Sequence, residues 1–379
     1  MKLLSDNMKK LIALFLPPIF LKALNHFKTS EEAFDFTSWW NDLSNKERLP
    51  DDLVIMIDYF VKTPAFLRSS QYWNWLNAKN IQQIYDFGYD NFKQTVAKNY
   101  FTWVGQLDTQ YSKNLIGLAE NLSVEIPTKE VFRRHQNFSH EESVLYNLVT
   151  ILLLQFVIDE VGEGFLDLIE EPTEGNPPYL LYKNHRISQD ILNSMLEFNA
   201  ISKGYDLEKA NRILEVGAGS GRTAFTLLKL FPTVKYIIVD IPPALFISQS
   251  NLSNVFSDKK KFLFRPFTSF KEIEEEFNSA DLVFLMPDQL DLLPEKIVDL
   301  FLAIDCLHEM KQEQIDGYFD QANRLAHQIY FKCWEKTTVP FDEITFSENS
   351  YPIMENWHEM YRGKCKVPSE FFEAVYEIK

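Results

Sequence analysis

The sequence predicts an α-helical N-terminal domain followed by an α/β domain whose parallel sheet carries helices on both faces. From Arg212 onward, strand-like and helix-like segments alternate. The strand-like ones, such as "KYIIVDI" and "DLVFLMP", are apolar throughout rather than at every second position, as in strands covered on both faces. Upstream, to about residue 170, the periodicity is helical and Gly-rich loops are missing. At 379 residues the chain sits near the upper edge of what one core supports, so two domains are expected.

The first segment, "KKLIALFLPPIFLKALNHFK", is apolar behind Lys9 and Lys10, but Pro17, Pro18 and Lys22 interrupt it and it is too short for a membrane span. A helix docking on its own protein is the expected reading, with contact at the inner membrane face and a signal peptide as the alternatives. "TSEEAFDF" opens with a capping box, Thr29 with Glu32. "SHEESVLYNLVTILLLQFVIDEVGEGF" repeats it with Ser139 and Glu142 and ends at Gly162 and Gly164. "EEPTEGNPPY", Glu170 to Tyr179, has the Pro and Gly of a linker, which divides the chain into 1–170, a linker at 171–182 and 183–379.

"RISQDILNSMLEFNAI" then reads as an amphipathic helix, with Ile187, Ile191, Leu192, Met195 and Leu196 on one side and Gln189, Asp190, Asn193, Ser194 and Glu197 on the other. After it come "RILEVGA", "TAFTLLKLF", "KYIIVDI", "PALFISQSNLSNVF", "DLVFLMP", "DLFLAIDCL", "KQEQIDGYFDQANRLA" and "QIYFKCW", with "KFLFRPF" as an extra short strand. "ILEVGAGSGRTAF" places Gly217, Ala218, Gly219 and Gly221 between the first strand and the first helix of the sheet. Ligands bind there against a helix N-terminus. A nicotinamide fingerprint needs a small residue where Arg222 stands, so the spacing is G-x-G-x-G instead.

The net charge of −16, from 38 basic and 54 acidic residues, repels phosphate backbones and argues against a nucleic-acid partner. Cys306, Cys333 and Cys365 are few and far apart, which fits a reducing cytoplasm and neither a disulfide framework nor a zinc site.

The glycine spacing, with Glu215 two residues ahead of Gly217, resembles motif I of class I S-adenosylmethionine-dependent methyltransferases. The resemblance implies a Rossmann-like sheet that binds S-adenosylmethionine. The cofactor would then touch Glu215, Gly217, Ala218, Gly219, Gly221 and Ile241, with Asp240 on both ribose hydroxyls. Asp288 or Gln289, after the third strand, would read the adenine amine, or else cap the next helix. Gln189 and Asp190 would reach the methionine end, with capping of their helix by Ser188 as the competing reading. Five segments in order, "SQDILNSMLEFNAI", "ILEVGAGSGRTAFTLLKLFP", "IIVDIPPALFISQSNLS", "FLMPDQLDLLP" and "DLFLAIDCLHEM", further resemble the sugar O-methyltransferases encoded among bacterial surface-polysaccharide genes. That likeness covers Tyr182 to Trp334, with "NFKQTVAKNYFTW" near Asn91 as the one upstream match.

If "DLFLAIDC" is the fourth strand, Asp305, His308 and Glu309 project from its carboxyl end toward the transferred methyl group. A sugar hydroxyl is a poor nucleophile at neutral pH, and His308 is the residue suited to take its proton, with Glu309 orienting the ring. The competing reading puts His308 and Glu309 in the first turn of the next helix as caps. Asp305, His308 and Glu309 are also possible magnesium ligands, but they do not make a cage, and no metal site is assigned. His358 and His185 are second candidates for the base. Tyr351, Trp357 and Tyr361 are candidates to close over a sugar ring, and Arg186, Arg222 and Arg265 to meet a nucleotide sugar. The expected function is a cytoplasmic O-methyltransferase acting on a sugar of a nucleotide sugar or glycan. A peptide or secondary-metabolite acceptor, or a non-catalytic scaffold, is the alternative.

Overall fold

The computed structural model describes residues 34–65, 69–96, 128–339, 342–367 and 369–379. The expected first helix, the Thr29–Glu32 capping box and most of "NFKQTVAKNYFTW" lie outside the described residues. The helical part comprises α1 (Phe36–Asp42), α2 (Asp51–Phe60), α3 (Gln71–Phe87), the short α4 (Thr128–Val131) and α5 (His140–Val161). α5 starts at the expected box: Ser139 Oγ accepts from the Glu142 N–H at 3.1 Å, and Glu142 Oε2 accepts from the Ser139 N–H at 2.7 Å. It ends where Gly162 takes φ +80°. Among the described residues it is the one helix long and apolar enough to cross a membrane, yet 67% of its most apolar window is buried inside the protein, as in a core helix.

Next come the hairpin β1 (Leu180–Tyr182) and β2 (His185–Ile187), then α6 (Gln189–Ser202), β3 (Arg212–Val216), α7 (Arg222–Leu230), β4 (Lys235–Val239), α8 (Ala244–Val255), β5 (Lys261–Phe262), α9 (Glu274–Ser279) and β6 (Leu282–Leu285). The chain closes with β7 (Val298–Ile304), α10 (Gln312–Leu325), β8 (Ala326–Trp334), the hairpin β9 (Lys336–Val339) and β10 (Ile344–Ser347), β11 (Trp357–Lys364) and β12 (Phe371–Ile378). The main sheet runs β11-β12-β8-β7-β3-β4-β6-β5. Strands β3 to β8 are all parallel, while β12 enters antiparallel between β8 and β11. The sheet is therefore mixed rather than wholly parallel, the correction lying in its last two strands.

Within each central strand, alternate residues join different cores. Ile213, Tyr236 and Ile238 pack with Leu192 of α6, Leu227 of α7 and Leu245 of α8. Leu214, Ile237 and Val239 pack with Phe277 of α9 and Phe319 of α10. This two-sided burial is why the strands read as apolar runs. The first core also takes in Phe36, Trp40 and Leu153, so the helical part and the sheet share one interior.

Residues 171–182, expected as a linker, are not an open tether. Glu171 is 1% exposed, makes an ion pair with buried Lys93 and accepts from Ser188 Oγ at 2.5 Å. The polar side of α6 is likewise buried, from Gln189 to Glu197: the helical part covers Gln189 and Asp190, while Arg222 and Lys332 of the α/β part cover Glu197. Gln189 Nε2 donates to Tyr146 O at 3.3 Å and to Thr150 Oγ1 at 3.2 Å, both on α5.

Candidate functional site

The loop after β3 is the centre of the site. Gly217 and Gly221 have φ +70° and +81°, a region that L side chains rarely adopt. A Cβ on Gly217 would fall 2.5 Å from Cys306 Cβ, and one on Gly221 2.8 Å from Leu252 Cδ1. Glycine is thus required by both torsion and space. The Gly221 N–H donates to Ala218 O at 2.9 Å, closing the turn from which α7 starts at Arg222.

At the end of β4, Asp240 Oδ2 accepts from the Gly219 N–H at 2.8 Å and Oδ1 from the Ile241 N–H at 2.7 Å. Burial raises this carboxyl to about 7, against the pull of those two donors. Each carboxylate oxygen keeps a lone pair, so the site fits a ligand offering two hydroxyls, as a ribose does. Asp240 and Ile241 line a cleft of about 620 Å³, counting its open mouth. Gly217 and Gly219 form its floor, and Pro287, Cys306 and Met310 come from the ends of β6 and β7. Gln314 and Tyr318 of α10 close one side, and Ala65, Ser69 and Trp73 of the helical part another. Ser70, the cap of α3, fixes that wall by donating from Oγ to Glu309 O at 3.0 Å.

Several expected cofactor contacts lie elsewhere. Glu215 is 2% exposed beneath the loop, where it accepts from Tyr236 Oη at 2.8 Å. Its carboxyl is raised to about 7 by burial. Ala218 is buried within the turn rather than facing the cleft. Gln289 has no free amide to read an adenine: Oε1 accepts from the Met286 N–H at 2.9 Å and Nε2 donates to Arg265 O at 2.8 Å. Asp288 lines an adjoining hollow, its Oδ2 accepting from Tyr59 Oη at 2.5 Å and its Oδ1 unpartnered. Asp190 is buried 3.6 Å from Lys93 Nζ, and burial raises its carboxyl.

The end of β7 does not enter the next helix, since α10 begins only at Gln312; His308 and Glu309 stand in a separate 3₁₀ turn, Leu307–Glu309. His308 is 4% exposed and sits edge-on to Trp334 and Phe371. Its Nε2 is 4.0 Å from Glu309 Oε1 and its Nδ1 has no partner. Burial, with Lys332 nearby, lowers it to about 3 and keeps it neutral.

Sequence reasoning missed the charged group beneath the loop. Glu197 of α6 accepts two bonds from Arg222, at 2.6 and 2.8 Å, and a third from Lys332 Nζ at 3.2 Å. Asp305 Oδ2 lies 3.5 Å from Lys332 Nζ and 3.6 Å from Arg222 Nη2. Burial alone would raise Glu197, but Arg222 and Lys332 together hold it below the ordinary carboxylate range. The signal was in the sequence: Glu197 in "SMLEFNAI" and Lys332 in "QIYFKCW" are single charges inside apolar runs.

The C-terminal aromatics are core residues, not a closing flap. Trp357 stacks on Phe319 at 5.5 Å and donates from Nε1 to Asn323 Oδ1, and Tyr351 packs on Phe331 and Phe372. Tyr361 is engaged by Lys203 and Glu373, while His358 is exposed on β11. Arg186, Arg222 and Arg265 all have carboxylate partners, Glu170, Glu197 and Glu276. His185 lies on β2. Among the described residues no three metal-ligating side chains are grouped to hold one ion.

Residues 183–304 match a family model described as an O-methyltransferase domain. No curated protein matches the sequence. Among solved structures, a protein of Pyrococcus horikoshii OT3 is 12% identical over 51% of this chain and 92% of its own, with a TM-score of 0.37. A SAM-dependent methyltransferase from Aquifex aeolicus is 14% identical over 47% of this chain and 88% of its own, TM-score 0.30. A mitomycin 7-O-methyltransferase is 11% identical over 88% of this chain and 74% of its own, TM-score 0.35.

Proposed function

Starting from a methyltransferase whose methyl donor is S-adenosylmethionine, we propose that the acceptor is a sugar hydroxyl, in a nucleotide sugar or at the end of a surface glycan. The match of residues 183–304 to an O-methyltransferase domain supports oxygen as the acceptor atom. The observation that carries the sugar is the run of five segments between Tyr182 and Trp334 that resembles sugar O-methyltransferases. Three free, buried cysteines support a reducing compartment.

When bound, the donor supplies an electrophilic methyl group on a positively charged sulfur. The chain's own residues do the rest. Asp240 would hold the donor's ribose and the Gly217–Gly221 loop would run along the donor toward its amino-acid end, while alignment of acceptor oxygen with methyl carbon supplies most of the rate. His308 is neutral, and its Nδ1, buried behind the cleft lining and without a partner, is the atom that would accept the hydroxyl proton once the acceptor reaches it. The apolar surroundings that keep it neutral also make its cation costly. Glu309, 4.0 Å from Nε2, is the group that offsets that charge.

The test is to incubate the full chain with S-adenosylmethionine and separate panels of nucleotide sugars, glycans, phenolic secondary metabolites and peptides, and to read methyl gain by mass spectrometry. Methylation of a nucleotide sugar or glycan is expected. Methylation confined to phenols or peptides overturns the sugar assignment.

A further inference from the structure

β7 ends at Ile304, and the next residue, Asp305, has φ +55°, a left-handed state that aspartate adopts more readily than most residues other than glycine and asparagine. Its N–H donates to Lys332 O at 3.0 Å, which pins the turn. The following residue, Cys306, lines the cleft and abuts Gly217. Asp305 is therefore directly behind the wall that Cys306 gives the cleft beside the glycine loop, its own side chain not among those lining it.

Its carboxylate is poorly matched to its neighbours. Lys332 and Arg222 both approach Glu197 more closely, at 3.2 Å and at 2.6 and 2.8 Å, than they approach Asp305 Oδ2, at 3.5 and 3.6 Å. Asp305 Oδ1 is buried with no hydrogen-bond partner. Two cations already serve a better-placed acid, so a carboxylate oxygen is left without a donor. A buried polar atom left this way calls for a partner from outside the chain, water or a ligand group.

The geometry points to Asp305 as the residue that binds the ammonium of the donor's amino-acid end, with Lys332 and Arg222 positioning its carboxylate. This rests on the donor reading above and deepens it. It also reassigns Asp305 from the reacting methyl group to the other end of the donor. The ammonium has three N–H groups, one of which supplies the bond that Oδ1 lacks.

The experiment is calorimetric titration of the full chain with two ligands: S-adenosylhomocysteine and its analogue lacking only the α-amino group. Wild type is compared with Asp305→Asn and Asp305→Gly, both of which tolerate a positive φ, after each is shown folded by circular dichroism. Wild type should bind S-adenosylhomocysteine about tenfold or more tighter than the analogue, as a charge-assisted bond requires. Both variants should lose that preference while binding the analogue within about threefold of wild type. An equal loss for both ligands would make Asp305 structural, and unchanged affinities would remove it from the site; either overturns the inference. Folded wild type that binds neither ligand overturns the donor reading itself.

Discussion

Gly219 donates its backbone N–H to Asp240 Oδ2 at 2.8 Å, which makes the glycine loop and the end of β4 a single unit. The same carboxylate thus shapes the loop and is offered to the ligand.

Donor affinity should follow the charge of Asp240. Burial raises its carboxyl to about 7, and ribose hydroxyls bind its ionised form, so affinity for S-adenosylhomocysteine should rise between pH 6 and pH 8, by about tenfold at most. Asp240→Asn should bind more weakly and without that slope. Calorimetry across the range checks it, and a flat wild-type profile contradicts it.

Glu215 should make the protein less stable as pH rises. Its folded carboxyl is raised to about 7, so its contribution is full below the ordinary carboxyl value and is lost as pH climbs through 7. Glu215→Gln keeps an acceptor for Tyr236 Oη and removes the ionisation. The variant should gain on wild type, on the order of 2 kcal/mol, between pH 5 and pH 8. Urea unfolding at both pH values provides the readout.

Removing the charge of Glu197 leaves Arg222 and Lys332 buried with only the looser Asp305 to balance them. Glu197→Gln should cost about 3–5 kcal/mol in urea unfolding. Adding Lys332→Met should restore part of that loss, since the uncompensated cation goes with it. Additive losses in the double variant would show that the two residues are not coupled.

Gly217→Ala should cost about 2–4 kcal/mol, because a positive φ and a Cβ contact of 2.5 Å act together. The contact is with Cys306 Cβ, so Cys306→Ala should not relieve it, whereas Cys306→Gly should recover part of the stability. Thermal unfolding of the paired variants separates these outcomes.

His308→Gln should lower turnover while leaving S-adenosylhomocysteine affinity within about threefold, as expected for a group acting on the acceptor. Held neutral down to about pH 3, His308 should add no inflection near 6.5 to the kcat profile at saturating donor. Equal losses of affinity and turnover would remove it from the base role.

What was legible in the sequence is what depends on short-range pattern. The apolar strands, the Ser139 cap, the G-x-G-x-G turn and the acid ending "IIVD" each declare themselves within a few residues. Partners far apart in the chain did not. Gln289 looked available until Met286 and Arg265 took its amide, and Trp357 looked like a flap until Phe319 covered it. The polar side of α6 suggested contact with a ligand, because nothing local tells that α5 and Lys93 will take up Gln189 and Asp190. β12 pairs antiparallel through long-range register that its own residues do not encode.

The shared interior also bears on how such chains diversify. Leu153 of α5 and Leu192 of α6 belong to the same core as Ile213 of β3, and Trp73 walls the cleft that Gly217 floors. A cassette beginning at residue 183 would carry away half of a packed seam and an open cleft. Exchanging acceptor preference between relatives by grafting would therefore require the helices and the sheet to travel together.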